Sequence, residues 1–270
     1  MHKLNNLILS YSIIIGILGC GCYESNSTRV SPTDSSGVTL QDSEGRTIHL
    51  SSAPARVLSL APAVTEFVGE LDALDLLVGR TAHCDYPPQA EKIPSVGSLF
   101  PPNYELITAS RPDLVLMASG NIAIRKKLEE LGLRVYVVQP ARIMEIHKML
   151  IDLGILLHRK IQGQSAARSF LTRLKKITAR VPRWNPRVFW EIWSSPLQSV
   201  GPESFVGDLI KTAGGINVLH DATQDWPKTS SELVVSRNPQ IIITHGETAH
   251  HELKTAARAG WQQTQAVQQG

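Results

Sequence analysis

One short phrase occurs twice in this chain, 127 positions apart, and it commits the chain to two lobes of like construction. The first copy runs Asn103, Tyr104, Glu105, Leu106, Ile107, reaches Arg111 and Pro112, and continues into the apolar stretch Leu114 to Met117, closed by Gly120. The second runs Ser230, Ser231, Glu232, Leu233, Val234, reaches Asn238 and Pro239, and continues through Ile241 to Ile243, closed by Gly246. Each copy opens with a side chain that can cap a helix, Asn103 or Ser230, and places an acid at the second helical position. A proline seven residues after that acid cannot continue the helix and turns the chain into a buried strand. Two equivalent glutamates, one per lobe, are therefore expected at equivalent places.

A chain of 270 residues accommodates two α/β lobes of ordinary size. Its formal charge is only +3, and the one dense basic region, Arg168 to Arg183, falls on a helical pattern, so no nucleic-acid footprint is read. Residues 1–19 read as an export signal: Lys3 near the start, then an apolar run too short to span a bilayer. Ile17, Leu18, Gly19 and Cys20 look like a bacterial lipobox, in which Cys20 is acylated and anchors the protein to the membrane. Residues 20–37, rich in Ser, Asn and Thr, read as a flexible tether. Only Cys22 and Cys84 remain besides Cys20, and neither a disulfide nor a thiol metal site is expected.

Strands alternate with helices from Val38 to Val138 at spacings that indicate a parallel sheet covered by helices, giving an N-terminal lobe over 38–142. Residues 143–181 carry helical periodicity with no proline, dented only by Gly154 and Gly163, and read as one stiff linker helix reaching on the order of 50 Å. A second lobe follows over 182–270: a strand from Arg187 to Trp193, a helix from Phe205 to Ala213 and the second copied helix, with a further helix near Ala249 to Arg258. It lacks a closing strand and helix to match the first lobe, so the C-terminal lobe is expected to be incomplete, either cut short or simply smaller.

Loops at the carboxyl edge of such sheets bind ligands. Here they carry His83, Tyr86, Leu99, Phe100, Trp193, Asp225 and Trp226, and all five tryptophans follow Arg183. Aromatic walls with few charges suit a large, partly flat ligand held by contact area. Trp190 alternates with core positions on its strand and is assigned to the core, whereas Trp193 and Trp226 lie at element ends and are wall candidates.

Six segments in order, RVLSLAPAVTE (56–66), CDYPP (84–88), RPDLVL (111–116), WEIWSSPL (190–197), AGGIN (213–217) and DWP (225–227), together resemble the substrate-binding lipoproteins of ABC importers for cobalamin and iron siderophores. The resemblance covers roughly Val38 to Val267. It implies two Rossmann-like lobes joined by a single long helix, and a monomer anchored outside the cytoplasm, in the periplasm or on the outer cell surface. It further implies capture without catalysis or cofactor, and delivery to a permease and its ATPase. Carried over by position, Glu105 and Glu232 match the family's paired permease-docking glutamates, and Trp226 matches an aromatic that contacts the corrin in cobalamin binders. His83 and Leu99 fall where those binders carry Tyr and Trp, a departure that leaves Tyr86 or Phe100 to supply wall surface. Siderophore binders more often place Arg or Tyr in the cleft, so the balance favours cobalamin or another corrinoid over a ferric siderophore or haem.

Two other readings remain. His83, His245, His250 and His251 could hold zinc, although such histidines are more often solvated surface residues. An exported hydrolase would need a nucleophile such as Ser59, Ser204 or Ser230, but there is no Gly-x-Ser-x-Gly elbow or HExxH pair.

Overall fold

The computed structural model describes residues 37–181, 183–244 and 258–269, all within one compact unit spanning 35–270. The signal segment, Cys20 and nearly all of the tether lie outside these residues. So do His245, His250 and His251, and nearly all of the helix expected from Ala249.

The first lobe opens with an antiparallel hairpin, β1 (Val38–Gln41) and β2 (Thr47–Leu50). Its sheet has four parallel strands, β3 (Val57–Ser59), β4 (Leu77–Arg80), β5 (Leu114–Met117) and β6 (Val135–Val137), in the order β4-β3-β5-β6. These strands are apolar on both faces because helices cover both. Val57, Leu114, Leu116 and Tyr136 face α1 (Pro62–Glu70) and α4 (Glu145–Leu156). Leu58, Val115, Met117 and Val135 pack with Ile107 of α2 (Tyr104–Ala109) and with Ile124 and Leu128 of α3 (Ile122–Glu130). The strand period of two makes this division. Helix α1 stops earlier than its apolar pattern, because Asp72 takes a left-handed φ of 51° and turns the chain into a 3₁₀ turn at Leu74–Leu76.

The second lobe is built on a three-stranded parallel sheet, order β10-β7-β11, from β7 (Arg187–Glu191), β10 (Ile216–Asn217) and β11 (Ile241–Thr244). A small hairpin, β8 (Trp193–Ser194) and β9 (Leu197–Gln198), follows β7. Among the described residues its helices are α6 (Phe205–Thr212), α7 (Ser231–Arg237) and, after a 3₁₀ turn at Trp261–Gln263, α8 (Gln265–Gln268). Both sheets place their first strand centrally, send the chain to one side and bring it back on the other, the topology that opens a ligand crevice at the carboxyl edge.

The linker departs from expectation. Residues 143–181 do not form one helix: α4 ends at Leu156, His158 takes a left-handed φ of 53°, and α5 (Lys160–Thr178) folds back against α4. Helix α4 belongs to the first lobe's core through Met149, Leu150 and Leu153, and the single long helix that leads to the second sheet is α5 alone, about 28 Å long. Both helices share one apolar period and no proline separates them, so periodicity could not reveal the reversal. The two glycines mark it. A Cβ on Gly163 would lie 2.7 Å from Leu150 O and 2.9 Å from Gly154 Cα, so the helices cross where neither carries a side chain.

Candidate functional site: the cleft between the lobes

The repeated phrase folds twice into the same device. Asn103 Oδ1 accepts from Leu106 N at 2.9 Å at the start of α2, and Ser230 Oγ accepts from Leu233 N at 3.3 Å at the start of α7. Ile107 and Val234 bury the matching inner face, Arg111 and Asn238 both end the helix at φ 46°, and Pro112 and Pro239 are both buried. Glu105 and Glu232 stand exposed at the second position of each helix. Ser230, and then the residue's own backbone N–H, hold the Glu232 carboxyl below the usual carboxylate range, so it is an anion at neutral pH. Arg237 closes α7 with paired 2.7 Å bonds to Asp221, whose carboxyl it holds down to about 2.

Sequence reasoning missed a third element of the repeat. Arg56, just before β3, donates to the carbonyls of Arg111 and Ser110 at 2.9 and 2.7 Å. Arg187, opening β7, donates to those of Asn238 and Arg237 at 2.8 and 3.2 Å. Each arginine satisfies carbonyls left open at the end of the copied helix and ties that helix to the central strand. The signal was present as Arg-Val at the head of both strands, 56–57 and 187–188.

Between the lobes lies a cleft of about 680 Å³. The first lobe lines it with Ser43 and Glu44 of the β1–β2 turn and with the loops after β5 and β6; the second lobe supplies Glu203, Phe205, Asp225 and Trp226. The segment bearing Trp226 is pinned along the stretch after β8. Thr229 N donates to Leu197 O, Gln198 Nε2 to Trp226 O, Ser199 N to Pro227 O and Gly201 N to Asp225 O, all between 2.8 and 3.0 Å. The contact is so close that a Cβ on Gly201 would sit 1.9 Å from Gln224 O. Beside the cleft, Arg142 pairs with the lining residue Glu203, and Ile143 N donates to Asp208 Oδ2 of α6 at 2.8 Å.

Of the expected wall residues, the structure brings Asp225 and Trp226 into this cleft. Tyr86 instead borders a separate hollow of about 380 Å³ beside α1, with Glu66, Phe67 and Glu70. His83 and Phe100 are exposed on the loops that follow β4, and Leu99 is half-buried against the core around Ile107. Trp193 stands exposed on the β8–β9 hairpin, its indole N–H turned back to Ser195 O at 2.8 Å. Trp190 is half-buried against Val188, Val200 and Ile210, as its place in the strand period foretold. Ser204 and Ser230 are spent as helix caps, and Ser59 is buried under α1, accepting from Thr65 Oγ1 at 2.8 Å. Cys84 is a free, buried thiol 3.0 Å from Thr81 Oγ1.

A smaller hollow of about 370 Å³ shares Ser43, Gln139, Pro140 and Ala141 with the cleft and runs beneath the first hairpin to Tyr136. Burial, then the charges of Asp152 and Asp42, push the Tyr136 phenol well above its ordinary range, and its hydroxyl donates to Gln41 O at 3.0 Å. A folded-state pKa raised in this way contributes stability below the unfolded phenol value of about 10 and loses it as pH rises past that value. Tyr136→Phe should therefore flatten the alkaline arm of the stability curve, measured by urea titration between pH 8 and about 11. Parallel alkaline arms in the two proteins would contradict this.

A sequence model described as periplasmic binding protein matches residues 57–270. The chain belongs to that family. Such binding proteins are solute receptors that work outside the cytoplasm with the permease and ATPase of an ABC importer. The chain is 34% identical over 201 residues to a Vitamin B12-binding protein of Salmonella typhimurium, covering 73% of this chain and 74% of that one. Among solved structures, the periplasmic vitamin B12-binding protein BtuF of Vibrio cholerae matches with a TM-score of 0.70 and 27% identity, over 80% of this chain and 85% of that chain. A possible iron-binding periplasmic protein of Staphylococcus epidermidis matches with a TM-score of 0.72 and 26% identity, over 81% and 88%. The two-lobed α/β architecture of this binding protein is that of these structures.

Proposed function

We propose that this binding protein captures cobalamin or a closely related corrinoid in the cleft between its lobes and hands it, without chemistry, to an ABC permease. The observation that carries this reading is the lining of the cleft. Trp226 and Phe205 provide aromatic surface, and among the described residues the charged lining is the acids Glu44, Glu203 and Asp225, with no Lys or Arg. A corrinoid is a broad macrocycle rimmed by uncharged amides, which aromatic surface and hydrogen-bonding carboxylates can hold. An anionic ferric chelate or a haem with two propionates would find no free cation in that lining, because Arg125 is engaged by Glu44 and Arg142 by Glu203. The 34% identical relative bearing the name Vitamin B12-binding protein supports the same choice. The iron-binding neighbour at 26% identity keeps a ferric chelate as the second reading.

A tryptophan fluorescence titration with cobalamin, cobinamide, haem and a ferric siderophore tests the choice. Quenching by the corrinoids alone is expected, and quenching by only haem or siderophore would overturn the reading. Trp226→Ala should weaken cobalamin binding roughly 10- to 100-fold by calorimetry, the loss typical of a central aromatic contact.

Glu105 and Glu232 serve, in this proposal, as the two points at which the permease grips the receptor. Both acids also favour their helix N-termini through the helix dipole, but that role asks for no matching surroundings in two lobes. Charge reversal at both positions, Glu105→Lys with Glu232→Lys, should abolish uptake in cells while cobalamin affinity stays within about twofold. Undiminished uptake would remove the docking role. The protein is proposed to act as a monomer, tethered to its membrane by acylation of Cys20.

A further inference from the structure

Between residues 160 and 184 the chain carries seven of its 27 Lys and Arg residues and no Asp or Glu, leaving 20 basic against 24 acidic residues everywhere else. This stretch is α5 and the turn beyond it. The first half of α5 is packed, with Gly163 and Ala167 buried and Phe170 against the first lobe's core. The second half stands clear, and residues 175–180 are all exposed. Arg173, Lys176, Ile177 and Arg180 recur at the spacing of one helical stripe. Ile177 is 60% exposed and Trp184, just past the helix, 55%. Among the described residues no ion pair engages the basic residues of this stretch. Cations in a last helical turn complement the helix dipole, which accounts for Lys175 and Lys176. It does not account for Arg183, for an exposed isoleucine in that stripe and an exposed tryptophan just beyond the helix, or for the complete absence of acids.

We propose that the C-terminal half of α5 is a docking surface for an anionic lipid membrane, with Arg173, Lys176 and Arg180 meeting lipid phosphates and Ile177 and Trp184 entering the interface. An exposed cationic helical stripe bearing Ile, with an exposed Trp just past its end, has the composition of interfacial membrane contacts rather than of a groove for a peptide. The net negative remainder of the chain is repelled by the same surface, so the field orients the molecule with α5 toward the lipid. None of the residues lining the cleft comes from α5, so this contact and solute capture do not compete. The inference depends neither on the identity of the solute nor on acylation of Cys20.

The test is flotation of the full chain carrying Cys20→Ser with phosphatidylcholine vesicles, with and without about a third phosphatidylglycerol. The pure phosphatidylcholine vesicles measure whatever affinity the apolar N-terminal segment contributes. The anionic vesicles should bind more protein, and the excess should vanish at about 0.5 M salt. At roughly a factor of five per basic residue lost, with added repulsion from the new acids, Arg173→Glu with Lys176→Glu and Arg180→Glu should weaken the anionic component at least about a hundredfold. Thermal melting followed by circular dichroism shows whether that variant is folded, and Trp184→Ala, a milder change, should reduce binding in the same direction. Equal partition into both vesicle types, anionic binding retained by the folded triple variant, or tighter binding to an RNA oligomer than to vesicles at equal salt would each overturn the proposal.

Discussion

Gly163→Ala is expected to destabilise the protein by on the order of 3 kcal/mol, although alanine inside a helix ordinarily gains about 0.5–1 kcal/mol over glycine. The reversal of sign comes from the crossing of α4 and α5. The new methyl would meet Leu150 O at 2.7 Å and the Cα of Gly154 at 2.9 Å, and both are backbone atoms with no rotamer to yield. Relief requires the helices to separate, which opens the core packing of Met149, Leu150 and Leu153 on one side and Ala167 on the other. Gly154→Ala meets Gly163 Cα at 2.8 Å and should cost as much, and the pair of substitutions should cost less than the sum, because one separation relieves both. Urea denaturation of the three variants measures this. A stabilised Gly163→Ala would mean that the helices do not cross at these glycines.

Trp261→Ala is expected to cost about 3–5 kcal/mol, enough to unfold the second lobe while the first can still be native. Trp261 is wholly buried, and it meets Phe189 of the central strand edge-on, with ring centroids 5.6 Å apart at 89°. Arg258 lies 4.7 Å above the indole and grips the buried Glu191 through two bonds of 2.7 and 2.8 Å. Removing the indole therefore leaves a cavity and loosens a charge pair at the carboxyl end of β7. Beyond Trp261, Gln265 N donates to Asn238 Oδ1 and Ala266 N to Pro239 O, so the last described residues clasp the end of α7, the helix that bears Glu232. Trp261→Phe should recover more than half of the loss. A two-phase denaturant curve for Trp261→Ala is the expected signature, and a single unshifted transition would show that this segment does not complete the lobe.

The parts of this protein legible in its sequence are those governed by local chemistry. Caps at Asn103 and Ser230 and the prolines at 112 and 239 act within one turn of themselves, and both copies folded as read. The parallel sheets followed from apolar runs at Leu114–Met117 and Ile241–Thr244, which need no partner to be recognised. What was illegible is set by distant approach. His158 is an ordinary residue in an unbroken helical period, and only the meeting of Gly154 with Gly163 explains why the chain reverses there. The cleft shows the same division. Asp225 and Trp226 could be placed at a sheet edge, whereas Ser43 and Glu44 reach the cleft only because the N-terminal hairpin is held there. Arg46, bonded to Asp42, Glu129 and the carbonyl of Val135, shares that holding with Ser43, whose N–H donates to Val137 O and whose hydroxyl accepts from Gln139 N, and nothing near residue 43 announces it.

The ties between Arg142 and Glu203 and between Ile143 N and Asp208 have a consequence for turnover. Lobes joined by these ties before a guest arrives have less mobility left to lose, and binding is relieved of that part of its cost, on the order of 1 kcal/mol for an exposed ion pair and one hydrogen bond. The same economy makes spontaneous unloading slow. In the proposed handover, parting these two ties is left to the permease.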